Sequence, residues 1–196
     1  MRDIEQRIKE KIEAVGVPLR EWDVSINRGI VTGFNEAFVI TSAKKDELIA
    51  ADPRSAEIIR PILRGRDIKR YGYDFADLYL ICTFPSRNYD IENYPAIKKH
   101  LLSFGYERLI QSGETYIVNR QKISARKKTN NKWFETQDSI SYWDDFSEQK
   151  IMYPNMTKYL PFCLDKRGYY QNDKSFFITG SHLAFLCAFL NSSLFK

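Results

Sequence analysis

The chain is 196 residues long and 43% hydrophobic, enough to bury one sizeable core and unlike a disordered tail. Its 30 lysines and arginines against 25 acids leave a formal charge of +5, too little for bulk attraction to a polyanion, so any such site must come from local clustering. Three widely spaced cysteines in apolar surroundings (Cys82, Cys163 and Cys187) argue against a disulfide framework or a zinc cluster, and no apolar run approaches a bilayer span, so a cytoplasmic protein without a membrane partner is expected.

Ile4, Ile8, Ile12 and Val15 recur at helical spacing and Gly16 and Pro18 stop the run, which predicts an amphipathic helix over 2–15. Residues 1–16 read as a lead-in helix from a preceding domain, and 17–196 as the domain proper, cut short inside its last element. Residues 22–26 alternate as a half-buried strand should. Gly29 and Gly33 flank a tight turn into a second predicted strand over 37–40. Asp52-Pro53 has the cap and first-turn residues of a helix through Arg60, ended by Pro61.

Between 60 and 71 come Arg60, Arg64, Arg66, Lys69 and Arg70 around Gly65. Like charges this close repel one another, so the joint suits a polyphosphate partner, against the plainer reading of a solvated face paired locally with Asp67 or Glu57. Residues 78–84 read as a buried strand and 95–102 as a helix capped by Asn93. Short strands over 150–153, 162–164 and 176–179 are punctuated by Pro154, Pro161 and the 165–168 turn. An apolar helix over 181–190 closes the pattern.

From 120 to 132 the chain carries Arg120, Lys122, Arg126, Lys127, Lys128 and Lys132 with no acid among them, and Asn130 and Asn131 besides. On a hydrated loop the cations neutralise phosphates while Asn and Arg contact base edges; the alternative is a mobile surface loop. Trp133-Phe134, Tyr142-Trp143 and Tyr169-Tyr170 suit base stacking but read better as core. Asp138, Asp144, Glu148 and Lys150 superficially match a metal-dependent nuclease, with Lys150 at a solvent edge as the plainer account. His100 and His182 lack partners at ligand spacing and read as surface or cap residues. No glycine-rich nucleotide loop, catalytic residue or metal site can be placed in the chain.

Taken in order, Trp22-Asp23-Val24, Gly29-Ile30-Val31-Thr32-Gly33-Phe34-Asn35-Glu36-Ala37-Phe38, the 58–71 segment, Tyr94-Pro95-Ala96-Ile97, Lys132-Trp133-Phe134-Glu135, Lys150-Ile151-Met152-Tyr153-Pro154, Phe177-Ile178-Thr179 and Leu190-Asn191-Ser192-Ser193-Leu194-Phe195 resemble the TaqI-like C-terminal specificity domain of bacterial restriction-modification enzymes. The resemblance implies an α+β fold of the target-recognition type, with a mixed, mainly antiparallel sheet and flanking helices. It implies double-stranded DNA as partner, alongside the adenine N6-methyltransferase domain of the same polypeptide. S-adenosylmethionine, and magnesium where the parent enzyme also cleaves, would belong to that parent, with no cofactor in this chain.

The same resemblance places Arg64, Arg66, Lys69 and Arg70 toward DNA, with Gly65 and Asp67 shaping the turn. Gly29, Thr32, Gly33 and Asn35 would form a family turn, with Arg28 and Asn35 as contacts, and bases would be read from Arg120 through Asn131. Three other readings stay open: a small metal-dependent nuclease, a single-stranded nucleic-acid module, and a module whose basic loops meet an acidic protein.

Overall fold

The computed structural model describes residues 3–195, so Met1, Arg2 and Lys196, all within segments read above, lie outside the described residues. Helix α1 (Asp3–Val15) follows the predicted isoleucine spacing, with Asp3 and Glu5 in its first turn, where carboxylates offset the positive end of the helix dipole. None of its described side chains is buried. The alternating segment becomes β1 (Val24–Arg28).

The glycine turn leads first into one helical turn, α2 (Asn35–Phe38), and only then into β2 (Val39–Thr41), a correction to the strand expected from residue 37. Thr32 causes it: its hydroxyl accepts from the Phe34 N–H at 3.2 Å and donates to Asn35 Oδ1 at 2.7 Å, which curls the backbone. Helix α3 (Ser42–Ala51) follows, capped by Thr41, whose Oγ1 accepts from the Lys44 N–H at 3.3 Å. Asp52 caps only a 3₁₀ turn over Pro53–Glu57, and the helix expected through Arg60 is instead strand β3 (Ile59–Leu63).

The short hairpin β4 (Ile68–Lys69) and β5 (Gly72–Tyr73) carries the basic joint, and β6 (Leu78–Ile81) is the expected buried strand. Pro61 closes the β3–β6 register opposite Tyr79, at the edge of the pairing, where its missing N–H is tolerated. Helix α4 (Pro95–Leu102) starts on its proline with Tyr94 at the cap instead of Asn93. Then come α5 (Tyr106–Leu109), the hairpin β7 (Thr115–Val118) and β8 (Gln121–Ser124), β9 (Lys150–Pro154), β10 (Cys163–Asp165), β11 (Tyr170–Gln171), β12 (Ser175–Gly180) and α6 (Leu183–Leu190).

The architecture is α+β with mainly antiparallel pairing and flanking helices, its main strands divided between two sheets. One is antiparallel throughout, in the order β1-β12-β9-β10; the other, β11-β3-β6-β2, is parallel only where β11 meets β3. Ile97 and Leu101 of α4 pack with Phe38, Ile62 and Leu80 in the largest core, and Leu183, Leu186 and Leu190 of α6 cover Ile151 and Ile178. Each such fully buried side chain contributes roughly 1.5–3 kcal/mol. A third cluster (Leu63, Ile68, Met152, Cys163 and Tyr169) joins the end of β3 to β9 and β10. It fixes the basic joint onto the antiparallel sheet. All three cysteines are free and buried, and burial raises the Cys163 thiol to about 11, which leaves it protonated and inert.

Candidate nucleic-acid interface

The joint leaves β3 through a charge clasp. Arg64 donates from its backbone N–H and from Nε to Asp67 Oδ2, both at 2.9 Å, and from Nη2 to Oδ1 at 2.8 Å. Burial alone would raise the Asp67 carboxyl, but the side-chain and backbone bonds from Arg64 outweigh it and hold that carboxyl below its usual range. Arg64 is therefore partly spent on the turn. Gly65 is buried beneath it, where an added Cβ would lie 2.3 Å from the Lys174 carbonyl, and a Cβ on Gly29 would lie 2.0 Å from that of Asn172. Both glycines allow the 172–174 turn to cross close to the backbone; of the two glycines that flank the 29–33 turn, Gly33 has a positive φ (+75°) and Gly29 does not.

That turn completes the basic wall. Arg64, Arg66, Lys69, Arg70 and Lys174 line one groove of about 650 Å³, with Asn155, Met156 and Thr157 also lining it, and no carboxylate lies among its lining residues. Arg66 is exposed. Lys69 donates to the Arg66 carbonyl at 2.8 Å and only loosely meets Asp74 at 3.7 Å. Arg70 donates to the Asn191 carbonyl and lies 5.4 Å over the Tyr71 ring. Behind the wall, Asp173 meets Lys174 at 3.0 Å and Arg28 at 3.7 Å, exposed pairs of the kind worth about 1 kcal/mol or less.

The 120–132 run divides in two. Asn119 and Arg120 both have positive φ (49° and 65°) in the hairpin turn, which puts Arg120 at the exposed tip and Lys122 on the exposed β8. The rest is no mobile loop. Arg126 is only 4% exposed, and its guanidinium donates to four carbonyls: Leu109 at 2.7 Å, Thr32 at 2.9 Å, Glu135 at 2.7 Å and Trp133 at 2.6 Å. Burial pulls its pKa down to about 10, with Glu135 opposing. This corrects the expectation that Arg126 touches DNA: the side chain is consumed in joining three stretches of backbone.

Asn131 is spent likewise, its amide donating to the carbonyls of Thr136 (3.2 Å) and Gln137 (2.8 Å). Lys127, Lys128, Asn130 and Lys132 remain exposed around this strapped turn. Asn35 is exposed but accepts from Thr32 through its amide oxygen. The structure thus brings Arg64, Arg66, Lys69 and Arg70 together with Arg28 close by, while the 126–132 turn abuts Thr32 and lies outside the groove lining. Lys174, Asn155, Met156 and Thr157 went unread in the sequence; the Pro154 and Pro161 brackets around six exposed residues were the available signal.

Lys150 is wholly buried on an inner strand, donating to Asp165 Oδ2 at 2.6 Å and to the Phe146 carbonyl at 2.5 Å, a correction to the solvent-edge account. That commitment removes it from any set with Glu148. Phe134, Tyr169 and Tyr170 are buried, and Trp143 is covered by Arg87 at 3.7 Å, so these aromatics serve packing. His100 is half-buried and donates from Nε2 to the Ala37 carbonyl at 3.0 Å; His182 is the exposed cap of α6.

Residues 60–196 match the TaqI-like C-terminal specificity domain family. Among solved structures the chain is similar to the Type IIL restriction-modification enzyme MmeI, solved in complex with DNA, with 13% identity and a TM-score of 0.52 over 90% of this chain and 22% of that one. It is also similar to the type IIG restriction endonuclease BpuSI, with 15% identity and a TM-score of 0.48 over 95% of this chain and 21% of that one. The chain spans about a fifth of the length of either protein. No curated protein matches the sequence.

Proposed function

The chain belongs to the TaqI-like C-terminal specificity domain family, and from that premise we propose that it recognises a duplex DNA sequence on behalf of an adenine N6-methyltransferase, and an endonuclease where one is present, housed elsewhere in a longer protein. The observation that carries the proposal is the groove lined by five cations and no carboxylate. A single-sign concave wall concentrates a polyanion and exchanges its weak surface pairs for phosphates, releasing counterions.

In this reading the parts divide by how firmly they are held. Arg64 and Arg70, tied to Asp67 and Asn191, present fixed charge, while Arg66, Lys69 and Lys174 reach phosphates. Arg28, Asn35, Arg120, Lys122, Lys127, Lys128, Asn130 and Lys132 supply outlying contacts from exposed positions. A cationic groove without carboxylates does not fit magnesium or the sulfonium of S-adenosylmethionine.

The test is duplex affinity measured against salt. Each neutralised phosphate contributes roughly 0.9 to the slope of log affinity on log salt, so the pair Arg66→Ala and Lys174→Ala should lower the slope by about 2 units. An unchanged slope and affinity in that double variant would remove the groove from the interface.

A further inference from the structure

We propose that the loop over 155–160, whose Asn155, Met156 and Thr157 line the cationic groove, is a specificity-determining element, with Met156 and Tyr159 making apolar contact with DNA bases. This rests on the duplex-binding reading above and names the part of the site that chooses sequence.

The loop stands on a fixed base. At one end the Asn155 N–H donates to the Lys174 carbonyl at 3.0 Å and its amide to the Asp173 carbonyl at 3.2 Å. At the other, the Phe162 N–H donates to Asn191 Oδ1 at 3.2 Å and the Asn191 amide returns to the Phe162 carbonyl at 2.8 Å. Asn191 also receives Arg70, and the Tyr71 N–H donates to the Phe162 carbonyl at 3.0 Å. The loop and the basic wall are therefore latched together at both ends. Their separation is a property of the fold and leaves only the loop's middle free to respond to what enters.

That middle is unexpectedly apolar. Met156, which lines the groove together with its arginines and lysines, is 86% exposed, and Tyr159, three residues further along the loop, is 68% exposed. Its internal ties are slight: Thr157 Oγ1 donates to the Tyr159 carbonyl at 3.2 Å, and Lys158 lies 5.2 Å over the Tyr159 ring. Neither side chain supports the core, so their exposure calls for a partner.

Cations on one wall engage phosphates, which carry register but no sequence. The Met156 thioether in the groove lining and the Tyr159 ring further along the loop add nothing to phosphate binding; on a duplex their chemistry suits thymine methyl groups and base faces, including partial opening of a base step. Contacts of this kind discriminate without releasing counterions. They therefore have a signature distinct from that of the basic wall.

The experiment selects the 196-residue chain at low salt against a duplex pool with a randomised centre, then compares affinities for the enriched duplex and a scrambled one. Wild type should show a preference that falls roughly tenfold or more in the Met156→Ala, Tyr159→Ala double variant, with an unchanged salt slope. Lys174→Ala, on the basic wall, should do the reverse, keeping the preference while lowering the slope. Thermal melts should coincide, since both side chains are exposed. An enriched duplex that wild type and the double variant prefer equally, or a loss of preference tracked by the salt slope, overturns this inference alone. Failure of wild type to bind any duplex overturns the function on which it rests.

Discussion

Replacing Arg126 by methionine keeps much of the buried volume and removes the guanidinium from the carbonyls of Leu109, Thr32, Glu135 and Trp133. A hydrogen bond from a charged donor contributes about 1.5–3 kcal/mol singly, but four on one rigid group are not additive, because the freed carbonyls relax together. A buried carbonyl left without a donor costs about 1–3 kcal/mol, so for a partly relaxing set of four the expected loss is roughly 3–5 kcal/mol. With a urea slope toward the upper end of about 1–3 kcal/mol/M for a chain of this size, the unfolding midpoint should drop by about 1–2 M. Lys127→Met, one residue along and exposed, should move it within about 0.5 kcal/mol. An Arg126→Met protein that unfolds at the wild-type midpoint, yet loses duplex affinity as Lys127→Met does, would refute the assignment of Arg126 to the interior.

Lys150→Met strands the Asp165 carboxylate in the core and should cost roughly 3–5 kcal/mol; adding Asp165→Asn should recover part of that in a denaturation cycle, the Asp165 bonds to the Arg167 and Tyr169 N–H groups limiting the recovery. Burial holds the His100 ring below its ordinary value of 6.5, with the Ala37 carbonyl opposing. The unfolded chain then takes up its proton first, so stability should be flat above that value and fall as pH drops through it toward the folded-state value. A urea-midpoint series against pH should lose this decline in His100→Gln. Asp173→Asn frees Lys174 and Arg28 from their carboxylate and should raise duplex affinity and salt slope together, as read by a salt titration.

Much of the fold was legible because its elements carry local signals. Helix α4 begins on the proline and ends on the leucine that the pattern marked, and β9, β10, β12 and α6 fall on their apolar runs. Helix α3 was silent because a surface helix burying only Leu48 shows no apolar stripe. Pro61 misled because a helix stop and the edge of a strand pairing use the same residue type. The candidate site was legible only as charge. Nothing in Arg126-Lys127-Lys128 tells which cation turns inward, since that depends on carbonyls at 32, 109, 133 and 135 brought in by the fold. Lys150 was misplaced for a similar reason, its partner arriving from the neighbouring strand.

The same long-range pairings explain how a chain of modest net charge builds a cationic groove. Asp67 is taken up by Arg64, and Asp165 by Lys150 and the N–H groups of Arg167 and Tyr169. Two carboxylates near the joint are thus buried where they fix backbone and add little to the outward field. Two more stay at the margin: Asp74, exposed 3.7 Å from Lys69, and Asp173, held behind the wall by the turn that Gly29 and Gly65 let through. Shape and charge then have a common origin: the close approach at Gly65 sets Lys174 beside the joint, and the Arg64–Asp67 clasp orients the loop that presents Arg66. A Cβ at Gly65 would collide with the Lys174 backbone and part the two sides without altering any charge. The field of the groove is therefore a consequence of backbone packing, and substitutions that leave the net charge unchanged can still dismantle it.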